Sequence, residues 1–568
     1  MSSLTKKLSV VSAKLRGLPH RGPTLLPLAH LILLDASVFL IFLVLSLLLQ
    51  WASGAHSSAF GSEPDESSHY VTGVMVRDYI AHGLPGSPIA FAKDFYIHYP
   101  RVAFGLWPPL FHVLSGVWML VFGVGRMSIM FLLAGLTSTW AFVYYRIGMP
   151  ALGRRSAVML AVLLLLLPTT QRSTSAVMPD MPMALMMLLS MSAYASYLET
   201  ERTKDAFMFG LWSALALLVK YNALALALLP ILCVVISGKH RLFRSKSFWL
   251  PAAVVLLIAG PWYAVMGHFV LYAADSGTAS TPIGIAIAAN AKGLFFLAGP
   301  IVFVLAVIGS VLVFLKIRTK RESRNERSLY VTAAAMVLAV FVFHGAIYPI
   351  YDSRYLLPAA PALLWLSWPS VRYIHSVLSA PLWVTMTALF FLAIAHLAFT
   401  SEVPAKKISA YLKTRETVLT AGLQHNSAVL VSADGIGEGM LTAEFVMHDR
   451  RPDHYVVRAS KVLASQTLMG DKYRLQYQSP EEIMGALDSI PISIVVMETC
   501  SQGKCSKHQV LLTETARLYP ERWRLSSVIR DETASSILVY QLIGNEGKAV
   551  ENLQIDMSNT LQTTVEKH

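Results

Sequence analysis

Acidic residues in two segments of this chain could do chemistry at a membrane surface. Glu63-Pro64-Asp65-Glu66 stands in the long polar segment 52–125, between two apolar runs. Asp180 follows a proline at the start of a further apolar run. A carboxylate can act as a general base, drawing the proton from an attacking hydroxyl or amine. Asp65, Glu66 and Asp180 could equally cap the helices that they begin, and the residue types alone leave both interpretations open.

Basic, aromatic and imidazole side chains near these carboxylates could bind an anionic group such as a phosphate. Arg101 and the histidines could donate hydrogen bonds to phosphate oxygens, and two further pairs stand at turns between apolar runs. Each residue could also be a structural residue of the membrane interface. The candidate binding residues are His69, Tyr70, His98, Arg101, His112, Lys220, Tyr221, Arg354 and Tyr355.

The carboxylates also raise the question of a metal ion. The sequence contains no three-ligand metal motif, and no cofactor is certain. If a divalent ion binds, oxygen ligands are the expected type, and Asp65 and Asp180 are the candidates.

The composition places these residues in a membrane protein. Of the 568 residues, 55% are hydrophobic and only 14% are charged, whereas a soluble domain carries about 25% charged residues. The net charge of +13 divides into +15 up to residue 400 and −2 from Ser401 to His568. A basic excess confined to membrane loops is typical of topology signals, and it argues against nucleic acid as a partner.

Eleven apolar segments are long enough to be spanning helices. Basic residues precede the first segment and no signal-peptide cleavage site follows it, so we expect it to span the membrane. A twelfth segment, 108–124, is ambiguous. With eleven crossings, the cytoplasmic segments hold 21 Lys and Arg and the opposite side holds 8, in agreement with the positive-inside bias. We therefore expect 108–124 to lie along the outer surface as an interfacial helix. The eleven segments are 26–51, 126–147, 154–170, 180–199, 206–220, 222–237, 248–267, 293–317, 328–348, 354–371 and 378–400.

This pattern predicts a polytopic all-α membrane domain of about 11 transmembrane helices with a C-terminal α/β soluble domain. Residues 1–25 form a cytoplasmic segment, 26–400 the transmembrane domain with the large outer loop 52–125, and 401–568 the soluble domain. An odd number of crossings places the N-terminus in the cytoplasm and the soluble domain outside. The predicted location is the plasma (inner) membrane.

Alternation of strand-like and helical patterns supports the α/β prediction. Gly435, Gly437 and Gly439 predict a flexible turn rather than a phosphate loop, because no Walker lysine follows them. Cys500 and Cys505 could form a disulfide in an oxidising compartment, although two free thiols remain an alternative. The predicted strands are Ala428–Ser432, Ile492–Met497 and Ser536–Leu542, and the predicted helices are Gly439–His448 and Glu481–Leu487.

The order of several short motifs over residues 26–400 resembles the GT-C superfamily of integral membrane glycosyltransferases. The similarity is greatest to the dolichyl-phosphate-mannose–protein mannosyltransferase and aminoarabinose lipid A transferase group. One departure is Trp107, since family members often have a lysine there that is thought to meet the lipid phosphate. Arg101, Lys220 or Arg354 could take over that role. The motifs are Pro64-Asp65-Glu66 followed by Tyr70, Pro108-Pro109-Leu110, Pro179-Asp180-Met181-Pro182, Gly260-Pro261-Trp262-Tyr263 and Arg354-Tyr355-Leu356-Leu357-Pro358.

The resemblance implies an enzyme that moves a single sugar, with inversion, from a polyprenyl-phosphate-linked donor to an acceptor on the outer face of the membrane. Asp65 would act as the general base, and Glu66 or Asp180 would orient the acceptor or hold a divalent ion. The acceptor could be a lipid, a protein or a glycan. The alternative is a non-enzymatic lipid or solute carrier, which would place its charged residues nearer the middle of the membrane.

Overall fold

A computed structural model describes most of the chain, helical up to Thr400 and mixed helix and sheet after residue 409. The predicted cytoplasmic segment lies outside the described residues, apart from Leu25. The described residues are 25–102, 105–268, 281–319, 324–378, 380–400, 405–406, 409–465, 473–499, 505–530, 536–556 and 564–566.

The helices up to Thr400 are numbered in chain order. They are α1 (Leu25–Ala52), α2 (Glu66–Ala81), α3 (Pro88–His98), α4 (Leu110–Phe122), α5 (Arg126–Leu152), α6 (Arg154–Leu166), α7 (Pro168–Ser175), α8 (Asp180–Thr200), α9 (Thr203–Val219), α10 (Leu228–Ser237), α11 (Lys246–Ile258), α12 (Gly260–His268), α13 (Ile283–Leu297), α14 (Gly299–Thr319), α15 (Arg324–Val342), α16 (Ala360–Leu378) and α17 (Leu382–Thr400). Short 3₁₀ helices lie at Tyr221–Ala227, His240–Arg244 and Ser353–Ala359, and a π turn lies at Phe343–Ile347.

This helical part is a multi-pass membrane domain. Among the described residues, four helices are long and apolar enough to cross a membrane alone: Ile32–Ala52, α5, α8 and Glu326–Ile347. Three bent pairs, α6–α7, α11–α12 and α13–α14, qualify as one span each, so the number of candidate spans is between 4 and 7. The eleven crossings remain a prediction, because α9, α10, α16 and α17 do not pass the same test.

A proline stands at the break of each bent pair. Pro168, Pro261 and Pro300 are each the first or second residue of the second helix. A proline has no backbone N–H to continue the preceding helix, but it fits the first turn of a new one. The breaks of 63°, 56° and 101° therefore have a local cause, although the apolar pattern predicts three continuous spans.

The predicted outer loop 52–125 folds into α2, α3 and α4. Gly73 and Gly116 allow α2 and α4 to cross closely, since a Cβ on Gly116 would lie 3.1 Å from the Gly73 carbonyl oxygen. The opposite side of α4 exposes apolar residues such as Val117 and Val121. A helix of 13 residues is about 20 Å long, too short for a hydrocarbon core of about 30 Å. This length agrees with the predicted interfacial helix.

The C-terminal part combines a five-stranded sheet with helices, as the sequence predicts. The sheet order is β2-β1-β5-β7-β6, with β2, β1 and β5 parallel and β7 and β6 antiparallel to their neighbours. The elements are α18 (Tyr411–Thr420), β1 (Ala428–Ser432), α19 (Gly435–His448), β2 (Tyr455–Arg458), α20 (Ala459–Val462), β3 (Ala464–Ser465), β4 (Arg474–Leu475), α21 (Pro480–Ser489), β5 (Ile492–Glu498), α22 (Lys507–Leu518), β6 (Trp523–Arg530), β7 (Ser536–Leu542), β8 (Gln554–Asp556) and β9 (Thr564–Glu566).

The flexible turn predicted from the three glycines is wrong. Gly435 begins α19, and the Asp434 carboxylate accepts hydrogen bonds from the first backbone N–H groups of this helix. A Cβ on Gly439 would lie 2.4 Å from Ser67 Oγ in α2. The missing side chain lets α19 pack directly on the predicted outer loop, so the glycine serves helix packing rather than flexibility.

The structure describes one of the two C-terminal cysteines. Cys505 is disulfide-bonded, whereas Cys500, its predicted partner, lies outside the described residues.

Candidate active site

Asp65 stands immediately before α2 with a carboxylate that is not used for capping. The side chain forms no cap hydrogen bond with the helix, and it is partly exposed. Arg101 and Tyr221 lie near enough to interact with its charge. Among the described residues, Asp65 therefore keeps both carboxylate oxygens free of hydrogen bonds, as a general base requires.

Glu66, the next residue, is fully buried and fully bonded. Its Oε2 accepts hydrogen bonds from Ser62 N at 2.8 Å and Ser62 Oγ at 2.7 Å. Its Oε1 accepts from Val177 N at 3.1 Å and Lys406 Nζ at 2.6 Å. The predicted role of Glu66 in orienting an acceptor therefore lacks a free oxygen, and the geometry assigns Glu66 to holding the loops together.

Asp180 and Lys220 form a buried ion pair. Asp180 begins α8, Lys220 follows α9, and Lys220 Nζ lies 2.7 Å from Asp180 Oδ1. Asp180 Oδ2 is buried with no hydrogen-bond partner among the described residues. A buried carboxylate oxygen without a partner is uncommon in proteins, and this one is available to a substrate hydroxyl.

Tyr355 joins Lys220 to Arg354. Its ring has Lys220 Nζ at 4.6 Å from the centroid and Arg354 Cζ at 5.3 Å. Arg354 Nε and Nη1 lie within ion-pair distance of Asp352 and Glu63 but form no well-aligned hydrogen bond with a described residue. Asp180, Asp352 and Glu63 surround the Arg354 guanidinium with negative charge.

Glu63 lies with Arg354 in the same group of charged side chains, although the sequence pattern does not mark it as a candidate. Its Oε1 lies 2.6 Å from Arg172 Nη2 in α7, and its Oε2 lies 3.4 Å from Arg354 Nη1. Burial raises the pKa of Glu63, and the two arginines oppose that rise. The only sequence signal was its position two residues before Asp65. We call Glu63, Asp65, Asp180, Lys220, Arg354 and Tyr355 the loop cluster.

His69 and His112 form a second, uncharged group. His69 Nδ1 lies 3.0 Å from His112 Nε2, and the ring of Trp107 lies 4.1 Å from that of His69. Burial lowers the pKa of His112 to about 4 and that of His69 well below its ordinary value. Both imidazoles are neutral at physiological pH, so they can donate hydrogen bonds but supply no positive charge to a phosphate.

Three other candidates make structural contacts. His98 stacks on Tyr455 of β2, with ring centroids 4.1 Å apart, at the contact with the C-terminal part. The Tyr70 hydroxyl donates to the Val124 carbonyl oxygen at 2.5 Å. The hydroxyls of Tyr221 and Tyr348 lie 3.3 Å apart.

Arg101 lies beside Asp65 but is largely engaged. Its Nη2 donates to the Pro64 carbonyl oxygen at 2.6 Å, and its Nε donates to Ser67 Oγ at 3.1 Å. Burial lowers the pKa of Arg101 to about 10, so it is still charged at neutral pH. Its contacts hold the turn that carries Asp65.

The charge of Asp180 already faces a lysine, which leaves one oxygen of this carboxylate for a divalent ion. The Lys220 ammonium already occupies the position on Asp180 Oδ1 that a cation would take, and carboxylate oxygens are the ligands such an ion needs. The charges also balance. Five acidic side chains, Glu63, Asp65, Glu66, Asp180 and Asp352, face five basic ones, Arg101, Arg172, Lys220, Arg354 and Lys406.

A separate group in the C-terminal part could offer three metal ligands. Ligand atoms of Asp449, Asp453 and His454 lie within 4.8 Å of one another. Asp449 is already bonded, to Arg415 Nη2 at 2.9 Å and to the Tyr99 hydroxyl at 3.1 Å. This group includes neither Asp65 nor Asp180.

The loop cluster gathers at one end of the helices, and a cavity of about 420 Å³ lies at the other. The cavity is lined by residues of α5, α8 and α15, including Glu199. Asp180 and Glu199 stand at opposite ends of α8, about 28 Å apart at 1.5 Å per residue. Within the described residues, this cavity and the loop cluster therefore lie at opposite ends of α8.

One family model matches part of the chain. The family model for dolichyl-phosphate-mannose-protein mannosyltransferase matches residues 107–264. The matched residues lie within the range 26–400 over which the motifs resemble this group. No curated protein sequence matches the chain.

Solved structures share the fold. ArnT from Cupriavidus metallidurans in the apo state has a TM-score of 0.50 and 13% identity, and the match covers 88% of this chain and 97% of ArnT. The Archaeoglobus fulgidus oligosaccharyltransferase in its apo form has a TM-score of 0.51 and 12% identity, covering 82% of this chain and 69% of that one. AglB from the same organism, in complex with an inhibitory peptide and a dolichol-phosphate, gives 0.50 and 12%, covering 89% and 74%.

Proposed function

We propose that this protein is a membrane glycosyltransferase that moves a single sugar from a polyprenyl-phosphate-linked donor to an acceptor on the outer face of the membrane, with inversion. The observation that carries the proposal is the unbonded Asp65 carboxylate. Arg101 lies near enough to interact with its charge, and Glu63, two residues before it, lies within ion-pair distance of Arg172 and Arg354. When an acceptor attacks a sugar phosphate, a base takes the acceptor proton and an anion-binding group stabilises the leaving phosphate.

The comparisons support the class of donor. The matching family model describes an enzyme that uses dolichyl-phosphate-mannose, and the AglB structure contains a dolichol-phosphate. Both are polyprenyl phosphates, and the candidate spans would let such a lipid approach the loop cluster from the membrane.

The reaction has one bond-making and one bond-breaking step at the anomeric carbon. The acceptor oxygen or nitrogen forms a bond to this carbon while the bond from the carbon to the phosphate oxygen breaks on the opposite face. Asp65 takes the proton that the acceptor loses. The phosphate leaves on its polyprenyl chain with the bonding electron pair, so the configuration inverts.

Lys220 and Arg354 would stabilise the charge on the leaving phosphate. Lys220 is buried, Arg354 is largely buried, and both flank Tyr355. In such surroundings an ion pair is stronger than in water. They would replace the lysine that relatives have at position 107. Asp180 Oδ2 would accept a hydrogen bond from a hydroxyl of the sugar or acceptor, which would satisfy its unpaired atom.

The carrier alternative is less well supported. A carrier would need charged groups along a path near the middle of the membrane, whereas the loop cluster lies at the ends of α2, α8 and α9.

Reconstitution tests the proposal. Purified wild type in liposomes is supplied with labelled polyprenyl-phosphate sugars, and donor consumption is compared with Asp65→Asn. We expect the variant to lose about 10²–10⁴-fold in turnover, the usual contribution of a general base. Asp94→Asn, an exposed carboxylate in α3, is the matched control and should turn over like wild type. Equal turnover by Asp65→Asn would exclude Asp65 as the base, and consumption of no donor would exclude the function.

The orientation has its own test. We place the N-terminus in the cytoplasm of a plasma-membrane protein, with the first loop and the C-terminal part outside. An impermeant thiol reagent added outside should label a cysteine at exposed Ser87 and leave one at exposed Ser376 unlabelled. The reverse pattern would contradict this topology.

A further inference from the structure

The segment that follows α17 returns to the first loop at Lys406. Its backbone N–H donates to the Ser53 carbonyl oxygen at 2.7 Å, and its carbonyl oxygen accepts from Ser58 Oγ at 3.3 Å. Gly54 permits this approach, since a Cβ there would lie 3.1 Å from that carbonyl oxygen. The backbone of Lys406 is thus held at the end of α1, although it comes some 350 residues later in the chain.

The Lys406 side chain then reaches Glu66. Its Nζ lies 2.6 Å from Glu66 Oε1, and the side chains are 6% and 0% exposed. A buried ion pair is costly to break, because the remaining charge has no partner and little water. The pairing therefore ties the sequence that leads into the C-terminal part to the residue adjacent to Asp65.

Glu66 in turn holds two loops, the one that contains Ser62 and the one that contains Val177. Its backbone N–H donates to the Glu63 carbonyl oxygen, and its carboxylate bonds Ser62 and Val177. Ser62 to Glu66 form the turn that sets the position of Asp65, while Val177 precedes Asp180 by three residues. The same carboxylate thus fixes the Asp65 turn relative to the Asp180 segment.

We propose that Lys406 is a positioning residue for Asp65 that acts through Glu66, so that the segment leading into the C-terminal part is needed to assemble the active site. This inference rests on the proposed function. It gives the C-terminal part a role in catalysis without requiring any of its residues to touch the substrate.

The pairing also sets the charge that Asp65 faces. Glu63 and Glu66 are its acidic neighbours in the sequence, and Arg101 and Tyr221 interact with its charge from other elements. Lys406 neutralises Glu66. Without Lys406, the unpaired Glu66 carboxylate would be displaced from its buried position, and the turn that keeps Asp65 near Arg101 would move with it.

The test compares Lys406→Met, Glu66→Gln and the double variant with wild type. We expect Lys406→Met to lower kcat about tenfold or more, with the acceptor KM less affected, and to move the acidic limb of the pH profile upward by about one unit. The double variant, which has no unpaired charge, should return the acidic limb to its wild-type position. Lys413→Met, an exposed lysine in α18, is the matched control.

A second readout needs no turnover. A carbodiimide labels a protonated carboxyl, so the pH at which labelling of Asp65 falls reports its ionisation directly, read by mass spectrometry. We expect this midpoint to rise in Lys406→Met and to return in the double variant. An unchanged midpoint together with unchanged kcat would overturn the proposal. A loss of kcat that follows thermal stability alone, with no pH shift, would also overturn it and assign Lys406 a structural role. Failure of wild type to consume any donor would overturn only the proposed function.

Discussion

The first loop meets the rest of the chain in two regions that use their charged groups differently. In the loop cluster, the Asp65 carboxylate, Asp180 Oδ2 and Arg354 Nε are without hydrogen bonds to described residues. At the contact of α3 with the C-terminal part, Asp449 accepts from Arg415, Tyr99 and His454. Buried polar groups are normally bonded. The first region therefore has bonding capacity for a substrate, whereas the second is a completed interface.

After Asp65→Asn, replacing Asp180 should have the largest effect. Asp180→Asn removes the partner of Lys220 and the oxygen available to a substrate hydroxyl, so we expect kcat/KM to fall about 10²–10³-fold, the range for a lost electrostatic contact in an active site. Asp449→Asn at the interface is the comparison, and it should affect stability more than turnover. If the two variants lose equal activity, the distinction between the regions is wrong.

Arg354 should have a smaller effect, seen mostly with the donor. Arg354→Met removes one of two cations near Tyr355, and we expect about 10–100-fold loss of kcat/KM for the polyprenyl-phosphate sugar. Arg354→Lys keeps the charge and should recover part of that loss. Full activity in Arg354→Met would mean that the leaving phosphate does not meet this residue.

Glu444 provides a pH-dependent test of the interface. This residue of α19 pairs with Arg126, and burial raises its pKa from 4.5 to about 7. Because the pKa is raised on folding, the stability contribution is complete below about pH 4.5 and is lost as the pH rises through 7. Relative to Glu444→Gln, wild type should lose about 2–3 kcal/mol of unfolding free energy between pH 5 and 8, measured by denaturant unfolding at each pH. Parallel stability curves for the two proteins would show that Glu444 does not titrate in this range.

The smallest effect is expected at Tyr99. Its hydroxyl donates to Asp449 and accepts from Asp453 N at 3.3 Å, so Tyr99→Phe should cost about 1–3 kcal/mol of stability and leave kcat near the wild-type value. Thermal unfolding and donor consumption measure the two. A large loss of kcat without a loss of stability would place Tyr99 in the active site.

Much of the fold could be predicted from the sequence, and the site only in part. Strands β1 and β7 have the predicted bounds, because strand patterns and flanking turn residues are local signals. Asp180, Lys220 and Arg354, three of the predicted candidates, lie close together in the structure. Glu63 and Arg172 were missed as a pair, because they lie in different segments and nothing local to either one indicates the other.

The membrane class, the α/β character of the C-terminal part and the family resemblance follow from the amino-acid sequence. These depend on apolar runs, short-range periodicity and motif order, all of which are properties of neighbouring residues. That Asp65 is unbonded while Glu66 is buried and bonded follows from the packing of distant segments. Two adjacent carboxylates look alike in a sequence, but the partners of Glu66 come from Val177 and Lys406, 111 and 340 residues away. Such pairings are set by how the helices pack.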